Sequence, residues 1–220
     1  MSIIPPIIVV MEKACRSAAK GLVRDFGELE KLQISKKDKN DFVSSADLRA
    51  SETINYHLQK DRPDFLQIDE ETFQKETGLQ VNFVQDNQSI SKKGTLRGFH
   101  LQTGEHAQAK LVRVVKGEVM DVVVDLREDS DTFGETFSVI LNEQNNFQLF
   151  IPRGFGHAFI TLSEETIFAY KCDNYYNKES EAGIIYNDEQ LDIDWHLPKE
   201  QLILSEKDKE LPSFKEFTNS

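Results

Sequence analysis

Lys110-Leu111-Val112-Arg113-Val114-Val115-Lys116-Gly117-Glu118-Val119-Met120-Asp121-Val122-Val123-Val124-Asp125-Leu126 is the stretch that decides the fold. It is crowded with β-branched residues and is interrupted only by the turn pair Lys116-Gly117. It therefore reads as two strands, residues 111–115 and 118–126. Further short Val/Ile/Phe-rich segments follow at 133–141, 147–151, 157–162 and 167–172, separated by turn chemistry at 127–131, 142–146 and 163–165. Strands at that spacing predict an antiparallel sandwich or barrel. Beyond Tyr176 the chain turns charged and loop-like, with Ile184-Ile185-Tyr186 and Ile193-Asp194-Trp195 as brief apolar anchors. The tail from Leu211 onward is expected to pack loosely at a surface.

Upstream the period is different. Met11, Ala14, Ala18, Leu22, Phe26 and Leu29 recur every three or four positions, which predicts one amphipathic helix within residues 7–32. Residues 36–40 read as a polar loop. Ser44-Ser45-Ala46-Asp47 offers a capping hydroxyl and a first-turn acid for a second helix reaching about residue 60, ended by Arg62-Pro63. The expected organisation is a helical appendage over 1–66 and a mainly β domain over 67–220.

The formal net charge is -12, and residues 1–66, with 11 Lys+Arg against 10 Asp+Glu, contribute almost none of it. An acidic β body repels phosphate backbones, so a nucleic-acid-binding role is disfavoured, and any bound phosphate must be held by a few local cations. Cys15 and Cys172 lie far apart and imply no disulfide framework. The apolar run from Ile3 to Met11 is too short to span a bilayer, is broken by Pro5-Pro6 and lacks a basic leader. The expectation is a soluble cytoplasmic protein with no membrane partner.

The residues before the β run hold the polar chemistry. Between Gln85 and Lys110 the chain places a carboxylate, an amide, a guanidinium, an imidazole and an ammonium on segments short enough to be strand ends. Buried polar groups need partners, so such a density at one sheet edge suits either a pocket lining or a charged hairpin with a chance histidine.

Six ordered blocks carry a family resemblance: Gln85-Asp86-Asn87, Leu96-Arg97-Gly98-Phe99-His100, the run from Lys110 to Glu118, Phe150-Ile151-Pro152-Arg153-Gly154-Phe155-Gly156-His157-Ala158-Phe159, Tyr170-Lys171-Cys172-Asp173-Asn174-Tyr175-Tyr176 and Leu204-Ser205-Glu206-Lys207-Asp208. From about Thr72 to Phe217 the chain resembles the dTDP-4-dehydrorhamnose 3,5-epimerases, cupin-fold enzymes of nucleotide-sugar metabolism. The resemblance implies a cupin-type antiparallel β-sandwich or jelly-roll barrel and inversion at C3 and C5 of a dTDP-linked 4-keto-6-deoxyhexose. Both carbons lie alpha to the ketone, so a base, an acid on the opposite face and a charge for the enolate oxygen suffice, without cofactor or metal.

In family order, His100 matches the base, Asp208 its orienting carboxylate, Tyr170 the acid and Lys110 the cation near the enolate. Gln85, Asp86 and Asn87 match the nucleotide-contacting motif, and Arg97, His157, Glu181 and Lys207 match further binding positions. Arg97 and Lys207 would be the local cations for the diphosphate. Ala182 stands where an arginine often follows the glutamate. A metal-binding cupin is a rival use of His100, His106 and His157, but such proteins usually present His-x-His, whereas Leu101-Gln102 follows His100. A homodimer is also implied.

Two departures accompany the resemblance. The family's usual opening strand and its Phe-x-Asp-x-Arg-Gly-x-Phe-x-x-Glu-Ser type segment are absent upstream of Thr72. In their place Met11-Glu12-Lys13-Ala14, the stretch from Gly21 to Glu28, and Asp41-Phe42-Val43-Ser44-Ser45-Ala46-Asp47 resemble the N-terminal helices of inositol monophosphatases. That family's Asp-x-x-Asp-Gly-Thr run is missing, which speaks against phosphatase chemistry. The alternatives to double epimerisation are a single-site epimerase or ketoisomerase on the same sugar class, or a catalytically impaired nucleotide-sugar-binding remnant.

Overall fold

β-Branched and aromatic residues alternate with polar ones through most of the region after Gly78, and nine strands result. The computed structural model describes residues 13–22, 34–38, 41–44, 50, 53–54, 56 and 70–219. The strands are β3 (Gln85–Lys92), β4 (Leu96–Gln102), β5 (Lys110–Lys116), β6 (Glu118–Asp125), β7 (Thr136–Asn142), β8 (Gln148–Ile151), β9 (Phe155–Thr161), β10 (Glu165–Cys172) and β11 (Glu181–Gly183). They form a four-stranded sheet in the order β3-β10-β5-β8 and a five-stranded sheet in the order β11-β4-β9-β6-β7, every pairing antiparallel. The mainly β sandwich expected from the strand spacing is the observed fold.

Two apolar layers hold it. Between the sheets, Val112, Val114 and Phe168 meet Val119, Val123 and Phe159, with the Phe159 and Phe168 rings stacked at 4.3 Å between centroids and 17° between planes. The other face of the five-stranded sheet presents Leu96, Phe99, Met120, Val122, Val124 and Ile160 to Ile184, Tyr186, Leu191 and Trp195. Because β6 is covered on both faces, Val119 through Asp125 are all buried, and its apolar run is continuous rather than alternating.

The tail departs from expectation. Leu211 to Phe217 does not lie loosely: Phe214 and Phe217 pack on the second apolar layer. The Ile185 N–H donates to the Pro212 carbonyl at 2.8 Å, and Ser213 and Glu216 form a reciprocal capping box on the helix Phe214–Thr218. The outer sheet face needs an apolar cover, and the tail supplies part of it.

The chain divides into two compact units, Met1–Phe73 and Gln74–Ser220. In the first, residues 13–22 are helical, as are residues 50, 53–54 and 56. These lie inside the two expected helices, the rest of which is outside the described residues, as is most of the inositol-monophosphatase-like sequence. The polar loop expected at 36–40 is corrected: β1 (Ile34–Asp38) and β2 (Asp41–Ser44) pair as an antiparallel hairpin, Ile34 opposite Ser44 and Lys36 opposite Phe42. Ile34, Phe42 and Val43 bring strand propensity to both sides of an Asp/Lys/Asn-rich sequence suited to a reversal. Among the described residues no helix is long and apolar enough to cross a membrane.

Candidate active site

The sandwich encloses a cavity of about 590 Å³ lined from both sheets. On the four-stranded side, register stacks the lining in rows across β3, β10 and β5. Gln85, Cys172 and Lys110 form one row, Asn87, Tyr170 and Val112 the next, and Ser89, Phe168 and Val114 a third. Polarity therefore falls from the Gln85 row to the Ser89 row. Opposite them His100 pairs with His157 across β4 and β9, and Arg97 with Phe159.

That Arg97 and His100 both line one cavity needs an irregularity, since strict alternation would turn residues three apart to opposite faces. The β4/β9 register shifts between Arg97 and His100 and supplies it. Gly98 sits within the shift at φ 112°, and a Cβ there would lie 2.4 Å from the His157 carbonyl oxygen. Only glycine fits that backbone and that gap.

His100 Nε2 lies 2.7 Å from Asp208 Oδ1, while His100 Nδ1 is buried with no hydrogen-bond partner. Asp208 is almost wholly buried, at 3 % exposure. Burial works to raise its pKa, but hydrogen bonds from His100, the Ser205 hydroxyl and the Gly98 N–H outweigh it and hold the carboxyl at about 2. Asp208 is thus a fixed anion that orients one imidazole nitrogen and leaves the other unpartnered.

Lys110, at the mouth of β5, donates from Nζ to the His100 carbonyl at 3.3 Å. Loss of solvation pushes its pKa down, against the attraction of Cys172, Asp121 and Glu181. Tyr170 is pushed up, first by burial, so its phenol stays protonated at neutral pH. His157 is buried and its Nε2 lies 3.0 Å from both Asp121 oxygens. Burial pulls its pKa down despite that carboxylate.

The rim holds the remaining expected residues. Lys207 is ion-paired with Glu181, and the Tyr176 hydroxyl donates to the same Glu181 carboxylate at 2.9 Å. Burial acts upward on Glu181, but these two donors dominate and hold it below the usual carboxylate range. Gln85 Nε2 donates to Asn87 Oδ1 at 3.0 Å. The exposed Arg97 guanidinium has no hydrogen bond or ion pair among the described residues, and it faces the cavity.

Ten of the eleven expected site residues therefore gather around one cavity: Gln85, Asn87, Arg97, His100, Lys110, His157, Tyr170, Glu181, Lys207 and Asp208. Asp86 does not. Its side chain is 67 % exposed and bonded to Lys171 Nζ at 2.8 Å, on the outer face of β3. Strand alternation is the reason, because a residue between two inward neighbours points outward.

Sequence reasoning overlooked Asp121, Tyr176 and Cys172. Asp121 left a signal, since a carboxylate inside the run Val119 to Val124 must find a partner once the strand is buried. Among the described residues no group of three or more His, Cys, Asp or Glu side chains is arranged to hold a metal ion. His100 and His157 each face a carboxylate instead.

Comparison with known proteins converges with this geometry. A family model described as dTDP-4-dehydrorhamnose 3,5-epimerase matches residues 57–216, starting upstream of the Thr72 at which the sequence resemblance begins. The chain is 51% identical over 149 residues to the dTDP-4-dehydrorhamnose 3,5-epimerase of Salmonella typhimurium, covering 67% of this chain and 80% of that protein. Its fold is similar to a crystal structure of the enzyme of that name from Elizabethkingia anophelis, with a TM-score of 0.67 and 44% identity, covering 84% of this chain and 89% of that one. It is also similar to the dTDP-6-deoxy-D-glucose-3,5-epimerase of Legionella pneumophila in complex with dTDP-4-keto-L-rhamnose, with a TM-score of 0.65 and 39% identity, covering 84% of this chain and 86% of that one.

Proposed function

Because the chain belongs to the dTDP-4-dehydrorhamnose 3,5-epimerase family of isomerases, we propose that its cavity inverts C3 and C5 of dTDP-4-dehydro-6-deoxy-D-glucose by the residues described above, giving dTDP-4-dehydro-L-rhamnose. His100 takes the proton alpha to the ketone, with Asp208 stabilising the resulting imidazolium. Lys110 carries the charge that meets the enolate oxygen. Tyr170, kept protonated by its surroundings, returns a proton from the other side.

The observation that carries this reading is the placement of base and acid on opposite walls. His100 stands on the five-stranded sheet and Tyr170 on the four-stranded sheet, around one cavity. Inversion requires removal from one face of a planar enolate and delivery to the other, and two side chains on one wall could not do both.

Gln85 and Asn87 are assigned to the nucleotide, Arg97 and Lys207 to the diphosphate, and Glu181 and His157 to substrate positioning. No metal or redox cofactor takes part. Residues 1–66 contribute no chemistry, and the protein works in the cytoplasm. A homodimer is part of the same reading: β3 is an edge strand, and Ile90 on it is 67 % exposed, which leaves a template that a second copy would cover.

The test is solvent deuterium exchange into a dTDP-4-keto-6-deoxy sugar. Label should enter both C3 and C5, in the presence of a strong chelator as well as without it, and His100→Asn should abolish it with dTDP binding retained. Label at one carbon would identify a single-site enzyme, and label at neither, with the sugar still bound, a binding remnant.

A further inference from the structure

Outside the groups given roles above, one polar cluster is bound into the cavity rim. Asn177 follows Tyr176 and caps the 3-10 turn Lys178–Ser180, which leads directly into Glu181. Its side-chain Oδ1 accepts the N–H of Glu179 at 2.8 Å and that of Ser180 at 3.3 Å. Those two bonds settle the amide orientation, so Nδ2 must be the group that faces His106 Nε2 at 3.1 Å. An amide NH2 can only donate, so His106 Nε2 is the acceptor and the ring carries its proton on Nδ1. The Asn177 backbone N–H is also held, by Gln102 Oε1 at 2.8 Å.

We propose that His106 is a positioning residue for substrate binding, acting through Asn177. Through its backbone N–H and its cap, Asn177 holds both ends of the short segment from Tyr176 to Glu181, and Tyr176 itself is tied by its hydroxyl to Glu181 and by its backbone N–H to Gln85 Oε1 at 3.1 Å. Removing the acceptor at residue 106 takes away one of the three side-chain bonds that hold Asn177, which weakens the cap on the turn and lets the Tyr176–Glu181–Lys207 wall move. The chemistry at His100 and Tyr170, seated on strands β4 and β10, is not touched. The effect therefore falls on binding and spares the proton transfers.

This inference rests on the epimerase reading for the identity of the ligand, and its test separates the two. His106→Phe, which keeps a planar ring without an acceptor, and His106→Gln, whose Oε1 can accept from Asn177, are compared with the parental full-length chain. Calorimetric binding of dTDP needs no turnover and reads the rim alone. His106→Phe should raise the dTDP dissociation constant and the KM for the keto sugar about fivefold, the scale of one hydrogen bond, with kcat within about twofold. His106→Gln should restore both. Equal dTDP affinity in all three proteins overturns the proposal, as does a loss in kcat with unchanged KM, or a failure of His106→Gln to restore what His106→Phe loses at matched thermal stability. A parental chain that binds dTDP yet exchanges no label overturns the epimerase reading instead, while the affinity comparison still decides the role of His106.

Discussion

Asp208 shows how one residue ties stability to the site. Its carboxyl is held at about 2 in the folded chain against an ordinary value of 3.8. A depressed folded value means the stabilisation is complete above about pH 4 and is lost as pH falls toward 2. The contribution is on the order of 2 kcal/mol. Asp208→Asn should therefore lower the melting temperature at pH 7 and flatten the acid limb between pH 4 and 2, measured by thermal unfolding at a series of pH values. A parallel drop in both proteins across that window would place the linkage elsewhere. The neighbouring pair Asp86 and Asn87 tests strand parity. Asp86→Ala removes an exposed ion pair to Lys171 and should leave KM within about twofold, because such pairs contribute little. Asn87→Ala empties a position in the cavity wall and should raise KM severalfold. Similar effects from both would contradict the outward placement of Asp86.

At the scale of elements, the covering of β6 governs stability more than any single strand pair. Met120, Val122 and Val124 are apolar because residues 184–217 lie over them, and Val119 and Val123 because the second sheet does. Trp195 is anchored in that cover by its indole N–H, which donates to the Tyr186 carbonyl at 2.9 Å, and Phe133 and Phe214 meet at 5.7 Å between centroids. Trp195→Ala should destabilise the fold by about 3–5 kcal/mol, as for other large buried aromatics. Phe214→Ala, at a half-buried site, should cost about 1–2 kcal/mol. Urea unfolding gives both values, and a Phe214→Ala chain with parental stability would show that the tail is not part of the core. The β4 bulge is a second element-level device. Gly98→Ala should unseat Arg97 and His100 together, because the new methyl would strike the His157 carbonyl.

For the whole molecule, every residue lining the cavity belongs to the unit Gln74–Ser220. A shortened chain beginning at Phe65 should fold and keep label exchange into the keto sugar within about threefold of the full chain, since the residues lining the cavity, Gln85 to Asp208, all lie after that point. Loss of both folding and exchange on that deletion would show that residues before Phe65 complete the β unit. Sedimentation of the full chain over a range of concentrations tests the proposed dimer independently, and a concentration-independent monomer would contradict it.

From the sequence alone, the six strands from β5 to β10, the acidic body and the ordered polar blocks were legible, because strand propensity, turn chemistry and charge are properties of neighbouring residues. So were ten of the residues that line the cavity, through their resemblance to a known family. What only the tertiary structure decided was direction and partnership. Asp86 points away from the cavity although its two neighbours point in, Asp121 pairs with a histidine 36 positions away, and the tail closes a sheet face instead of hanging from it. Residues 34–38 pair with residues 41–44 although the charges at 36–40 suggested a loop. Each of these depends on which face of a strand becomes buried and on what arrives to cover it, and both are set by contacts between residues far apart in the chain.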